Sequence, residues 1–285
     1  ALLGWLPGGL GMATIGGCFF FAGTSGSNSA DTAAIGRIMI PSMVEQGYAR
    51  PYASALAASG GCLGIIVPPS LIFIIYGVVT ATSVGDLFIA GIVPGLLLAF
   101  SLCFANYVVC RRSGWGPAAT DRFQVSALPR DLWDAKWGLL APAIILGGSC
   151  RGLFTPTESA AVAVAYCLIV ELFVTRGLRG REIPRLLERS GAITGVIGPI
   201  IAFSILFGEV LSVLRIPDTL AAFLLELPNG HAGTIMMILA LLLVVGCFLE
   251  TIAAIIIMMP ILLPVATGLG LDPVHLGVFV VGGLT

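Results

Sequence analysis

The chain has 285 residues, 58% of them apolar and only 10% charged, and a mean hydropathy of +1.05; soluble globular domains carry about a quarter charged residues, which excludes that class. A net charge of −1 offers no polybasic surface, so nucleic acid is not an expected partner. The seven cysteines (Cys18, Cys62, Cys103, Cys110, Cys150, Cys167 and Cys247) show no CxxC pair and no histidine at metal-ligand spacing, and read as small buried hydrophobes.

Apolar stretches able to cross ~30 Å of hydrocarbon, about 20 residues each, recur at residues 86–110, 157–175, 190–214 and 231–249. The fold class expected is therefore an all-α polytopic membrane protein. The first residue is Ala1 and the last run, Val278 to Thr285, is apolar, so both ends read as internal to a longer sequence.

The first predicted element is a pair of apolar arms interrupted by Gly23-Thr24-Ser25-Gly26-Ser27-Asn28-Ser29-Ala30-Asp31-Thr32. Glycines free the backbone there, and Ser, Asn and Asp compete for its hydrogen bonds, so a re-entrant hairpin turning inside the bilayer is expected. Irregular backbone at that depth survives only where it lines a cavity or is buried in protein. Ser25, Ser27 and Asn28 supply neutral oxygens suited to a hard cation, and the following helix N-terminus suits a carboxylate. Asp31 either caps that helix or faces the site.

Residues 51–84 form the next span, broken by Ser59-Gly60-Gly61-Cys62-Leu63-Gly64-Ile65-Ile66-Val67-Pro68-Pro69-Ser70. Pro69 has no N–H and bars the α conformation at Pro68, so carbonyls about one turn earlier lose their partners and can coordinate an ion. The span at 86–110 leads to a polar stretch with Arg111, Arg112, Arg122, Arg130 and Lys136; a second polar stretch holds Arg176, Arg179, Arg181, Arg185 and Arg189. The positive-inside rule makes both cytoplasmic. Residues 137–175 then go out and back, turning at GLFTPTE, where Pro156 starts a helix and Thr155 or Thr157 satisfies its free N–H groups. Of the fourteen basic residues only Arg151 and Arg215 fall outside on this topology. Ile216, Leu220, Phe223, Leu224 and Leu227 give residues 215–230 the spacing of an interfacial arm helix.

The last element, residues 231–285, repeats the first. Leu6-Pro7-Gly8-Gly9 recurs as Leu227-Pro228-Asn229-Gly230, and DTAAIGRIMIP (31–41) as ETIAAIIIMMP (250–260), with offsets of 221 and 219. Five crossings separate the two copies if each repeated segment is re-entrant, and an odd number inverts the second. Inverted repeats with discontinuous helices are the architecture of secondary transporters. Glu250 and Thr251 take the places of Asp31 and Thr32. An acidic residue in so apolar a run is a functional candidate: a proton site, a cation ligand or a hydrogen-bond partner of the solute.

The segments LPGGLGMAT, SGSNSADTAAIGRIMIPSM, GIIVPPSLIFIIYGVVT, LFIAGIVPGLLL, GLFTPTESAAVAVAY and ETIAAIIIMMPILLP resemble the large membrane subunit of TRAP transporters over nearly the whole chain. The resemblance implies the elevator type of the ion transporter superfamily: sodium-coupled import of a C4-dicarboxylate or sialic acid-like carboxylate, with no cofactor besides the coupling ion, in a bacterial inner membrane. A periplasmic solute-binding protein would deliver the cargo, and a small four-helix membrane subunit would support this one. Carried onto this sequence, Ser25, Ser27, Asn28, Gly60, Gly64, Val67 and Pro68 are the expected sodium ligands. Thr24, Ser29, Asp31, Ser70, Glu250 and Thr251 are the expected substrate contacts. The division implied is a first hairpin and broken helix (1–84), connecting and scaffold helices with loops 111–137 and 176–189 (85–214), the arm (215–230), and the second hairpin with the start of its broken helix (231–285). The family's second ion site needs a further Pro-Pro break beyond Thr285, and it often has Asp-Pro where this chain has Glu250-Thr251.

Two rival readings have a sequence basis. A channel, or a carboxylate transporter of similar fold without a binding protein, would share the broken helices. Gly23-Thr24-Ser25-Gly26 also fits the GxSG of intramembrane serine proteases, which need a histidine beside the serine; only His231 and His275 exist, both expected near the outer helix ends.

Overall fold

The computed structural model describes residues 6–115, 128–150, 154–216, 219, 222 and 230–285, and every regular element among them is helical: α1 (Gly9–Ser25), α2 (Asn28–Glu45), α3 (Arg50–Gly61), α4 (Leu63–Ile66), α5 (Leu71–Thr80), α6 (Val84–Ser113), α7 (Leu128–Cys150), α8 (Pro156–Ile169, extended by a π-helical turn Val170–Val174), a 3-10 turn (Gly180–Glu182), α9 (Ile183–Val213), α10 (Gly230–Phe248), α11 (Thr251–Gly268) and α12 (Pro273–Leu284). Five described stretches are long and apolar enough to cross a membrane: Arg50–Thr80, Val84–Ser113, Thr157–Val174, Gly180–Val213 and Thr251–Gly268. The chain is a multi-pass membrane protein. The most apolar window of Arg50–Thr80 is 67% buried against 12% for that of Gly180–Val213, so the broken helix is core and α9 presents its side chains outward. On α6 the same holds for one stripe: Val93, Leu97, Phe100 and Phe104, at helical spacing, are all exposed, as side chains facing lipid or another subunit are.

The chain divides into two compact units, Ala1–Leu71 with Gly91–Ala163 and Ile72–Ala90 with Val164–Thr285, so α5, α6 and α8 each contribute to both. In the first unit α1 and α2 form an antiparallel hairpin, with the Thr14 hydroxyl 3.7 Å from Met43 Sδ. The turn is two residues long. Gly26 closes α1 with φ +58° and its N–H on the Ala22 carbonyl at 3.1 Å, a left-handed cap that a side chain would strain, and Ser27 is extended. Ala53 and Ala57 of α3 are fully buried, which lets α3 lie close against both arms.

The base of this hairpin is tied to α6 by a buried asparagine. Asn106 is 1% exposed; its amide donates to the Gly8 carbonyl at 2.8 Å, and its oxygen accepts from Tyr52 Oη at 3.0 Å and from Cys110 Sγ at 3.4 Å. Tyr48, Tyr52 and Trp115 stack beside it, their ring centroids 5.1–6.4 Å apart. A polar side chain in an apolar helix is stable only when so satisfied.

In the second unit α10 and α11 are consecutive helices joined at Leu249-Glu250, and α12 packs beside them. Gly277 sits where a β-carbon would come within 2.7 Å of Leu87 and Tyr76, and Tyr76 Oη donates to the Pro273 carbonyl at 2.6 Å.

Local signals were mostly obeyed. Thr155 precedes α8 and accepts from the Glu158 amide at 3.3 Å, while the Glu158 carboxylate accepts from the Thr155 N–H at 2.8 Å, a reciprocal cap. The basic stretch 176–189 is shorter as a loop than the sequence suggests: α9 begins at Ile183 with Pro184 in its first turn, where proline is favoured, so Arg185 and Arg189 stand on the helix. The first basic loop is also shorter, since α6 runs to Ser113 and α7 starts at Leu128; residues 116–127 lie outside the described residues, as do Arg151 and nearly all of the expected arm at 215–230.

Candidate functional site

The hairpin tip meets the interrupted helix. α3 stops at Gly61, α4 lasts four residues, and residues 67–70 are not helical; Val67 is extended at φ −76°, ψ 123°. The cause is in the sequence: Pro68 and Pro69 have no N–H to offer the carbonyls of Gly64 and Ile65 one turn earlier. Small residues let the two backbones touch. A β-carbon on Gly26 would lie 3.0 Å from the Leu71 nitrogen and 3.2 Å from the Pro69 carbonyl oxygen. One on Gly64 would run into the Asp31 carboxylate and lie 3.1 Å from the Ser27 carbonyl carbon, and one on Gly61 would lie 3.0 Å from the Asn28 carbonyl oxygen.

At this junction Ser25 Oγ donates to Asp31 Oδ1 and accepts from the Ser27 N–H at 3.2 Å. Asp31 is completely buried, and its Oδ2 has no hydrogen-bond partner among the described residues. It does not cap α2; Ser27 holds the cap position, without a side-chain bond. Asn28 Nδ2 donates to Cys62 Sγ at 3.8 Å and its Oδ1 accepts from Thr32 at 3.3 Å, which pins the start of α2 to the end of α3. Ser70 is buried, whereas Ser29 is exposed and its hydroxyl lies 3.3 Å from that of Ser27. Thr24 is in the last turn of α1; its side chain lies outside the described residues.

The structure thus gathers Ser25, Ser27, Asn28, Asp31, Gly64, Val67, Pro68 and Ser70 around one junction. Gly60 stands apart from the tip: it faces Cys18 on the α1 arm, with Sγ 3.0 Å from a notional β-carbon, and Gly61 is the glycine against the start of α2 at the tip. Gly61, Thr32 and Cys62 were not singled out by sequence reasoning; adjacent glycines on a helix face 100° apart, and only the packing says which one meets the tip.

Glu250 belongs to the other unit. It is the N-cap of α11, its carboxylate accepting from the Ile252 N–H at 2.9 Å and the Ala253 N–H at 3.3 Å, and it is exposed. The sequence repeat aligns it with Asp31, but by helix position its counterpart is Ser27. α11 starts one helical turn nearer its proline, Pro260, than α2 does to Pro41, so the acid of the second copy caps the helix while that of the first is buried inside it.

The chemistry of the first junction is that of hydroxyl, carbonyl and carboxylate oxygens, the donor set of a hard cation. No cluster of three or more His, Cys, Asp or Glu exists among the described residues. Ser25, the serine of the GxSG tetrapeptide, has Asp31 and the Ser27 backbone as its described partners, not a histidine.

A chain with several spans, an antiparallel hairpin and a proline-broken helix meeting at a polar junction is a polytopic membrane protein of the broken-helix kind. It belongs to the family described as the tripartite ATP-independent periplasmic transporter, DctM component, whose model matches residues 1–284. It is 42% identical over 284 residues to the isethionate TRAP transporter permease protein DctMQ of Oleidesulfovibrio alaskensis, covering 99% of this chain and 44% of that protein. It is 42% identical to the C4-dicarboxylate TRAP transporter large permease protein DctM of Pseudomonas aeruginosa, covering 99% and 65%. It is 36% identical to the sialic acid TRAP transporter large permease protein SiaM of Vibrio cholerae, covering 99% and 65%. The chain therefore spans about half to two-thirds of the length of these relatives, which are transporter permeases and not enzymes.

Proposed function

We propose that the chain is the ion-binding and substrate-binding part of a permease that imports a small carboxylate with sodium. The observation that carries this reading is the buried Asp31 oxygen without a partner, set beside Ser25, Gly64 and the proline break. An unpaired carboxylate in a low-dielectric site costs several kcal/mol, and a cation held by it, by the Ser25 hydroxyl and by the freed Gly64 carbonyl offsets that cost. Asp31 is thereby a cation ligand in this proposal, while the α2 N-terminus and the hydroxyls of the half-buried Ser27 and the exposed Ser29 are left for the carboxylate of the solute. Sodium binding orders the tip against the break, and the ordered tip presents those groups; this couples ion to cargo as a reciprocal free energy.

Relatives carry names for isethionate, C4-dicarboxylates and sialic acid, which are small anions, and for ectoine, a zwitterion that keeps a carboxylate, which supports a small cargo bearing an acidic group. A small membrane subunit and a periplasmic binding protein complete the proposed system, with elevator-type movement of re-entrant hairpins in the inner membrane. The test is uptake into proteoliposomes holding the complete permease. Sodium-dependent accumulation only when the binding protein is present supports the proposal. Accumulation without it indicates an independent transporter, and flux only down a gradient indicates a channel; either overturns the proposal.

A further inference from the structure

Helices α8 and α9 are joined by a segment whose charge the transport reading does not use. Residues 176–189 hold five arginines against Glu182 and Glu188, a net charge of +3. The segment is shaped by its own backbone. The Thr175 N–H closes the π turn on the Val170 carbonyl at 2.9 Å, Arg176 turns the chain at φ +51°, and the Leu178 N–H returns to the Glu171 carbonyl at 3.4 Å. Nearby carboxylates are spent on this shape. Glu182 Oε2 accepts from the Arg179 N–H at 3.1 Å, and Glu171 accepts from the Thr175 hydroxyl at 2.9 Å.

The consequence is that Arg176, Arg179, Arg181, Arg185 and Arg189 are all exposed, and none makes an ion pair with a described residue. Apolar side chains close by in sequence are exposed as well: Phe173 is 71% exposed and Leu187 67%. Guanidiniums beside outward-facing Phe and Leu, at the ends of two helices that are long and apolar enough to cross a bilayer, match the boundary where headgroups meet acyl chains.

We infer that the α8–α9 connection is a binding site for anionic phospholipid, its arginines on the phosphate and its exposed Phe173 and Leu187 against the acyl chains. Guanidinium suits this task, since its planar fork takes phosphate oxygens two at a time.

The test is native mass spectrometry of the delipidated complete permease titrated with phosphatidylglycerol or phosphatidylcholine, for wild type and an Arg179→Gln/Arg181→Gln/Arg185→Gln variant. Wild type should retain phosphatidylglycerol and not phosphatidylcholine. Each arginine lost should weaken retention roughly fivefold, about a hundredfold for three, at unchanged melting temperature. Should the variant not fold, the wild type decides: retention that falls steeply with salt supports the site, and salt-insensitive retention overturns it. Equal retention by wild type and a folded variant also overturns it. So does displacement of the lipid by millimolar inorganic phosphate, which would mark a site for free anions.

Discussion

Replacing Gly64 by alanine puts a methyl group where the Asp31 carboxylate lies. The added β-carbon would lie 2.9 Å from Asp31 Cγ, closer than real β-carbons come, and a tight 3.1 Å from the Ser27 carbonyl carbon, so the buried acid must move or the tip backbone must give way. Overpacking of this kind costs about 1–3 kcal/mol. Because the displaced groups are the proposed ion ligands, sodium affinity should fall by about tenfold for each 1.4 kcal/mol lost there. Gly16, in α1 of the same unit, is the control: nothing lies within 4 Å of a β-carbon added to it, and alanine inside a helix is roughly 0.5–1 kcal/mol more favourable than glycine. The assay is thermal unfolding in detergent together with initial uptake rates measured against sodium concentration. Gly64→Ala should melt lower and need more sodium, whereas Gly16→Ala should do neither. Identical behaviour of the two variants would refute the close meeting of tip and break.

Three further substitutions probe other parts of the account. Asn106→Ala removes the amide hydrogen bonds to the Gly8 carbonyl, the Tyr52 hydroxyl and Cys110 Sγ, and should cost about 1–3 kcal/mol in thermal unfolding, where an unaltered melting temperature would mean the α6 tie is not structural. Glu250→Ala removes the α11 cap and should cost about 1 kcal/mol; Glu250→Gln keeps an acceptor, so it should melt like wild type and shift only the uptake KM. Gly277→Ala forces a β-carbon to within 2.7 Å of Leu87 and Tyr76 and should destabilise the second unit by about 1–3 kcal/mol, read as a lower midpoint on heating.

The two features that make the candidate site were legible because they break a strong pattern. The run of small polar residues between apolar arms holds the two-residue turn Gly26-Ser27 between α1 and α2, and Pro68-Pro69 removes donors at fixed positions; both lie where the chain interrupts its helices. Thr155 and Glu158 likewise form the cap that the TPTE spelling implies. What the sequence hid was depth and register. The identity match between Asp31 and Glu250 follows the letters, yet helix start depends on which residue turns the backbone, and Gly26 turns the first tip a full helical turn before its acid. The choice between Gly60 and Gly61 was also out of reach, since it depends on the rotation of α3 about its axis. Asn106 carried a usable signal, a lone amide in a 25-residue apolar run, but its partners Gly8 and Tyr52 are distant in sequence.

The central claim, that the tip and the break together hold a sodium ion, is tested most directly by melting the purified permease in sodium and in potassium chloride at matched ionic strength. A ligand bound only to the folded state at about a hundred times its dissociation constant stabilises by about 2.7 kcal/mol. The account predicts that sodium raises the wild-type melting temperature over potassium and that Ser25→Ala or Asp31→Asn abolishes the difference. Equal melting of the wild type in both salts, or a sodium effect that survives both substitutions, would contradict it.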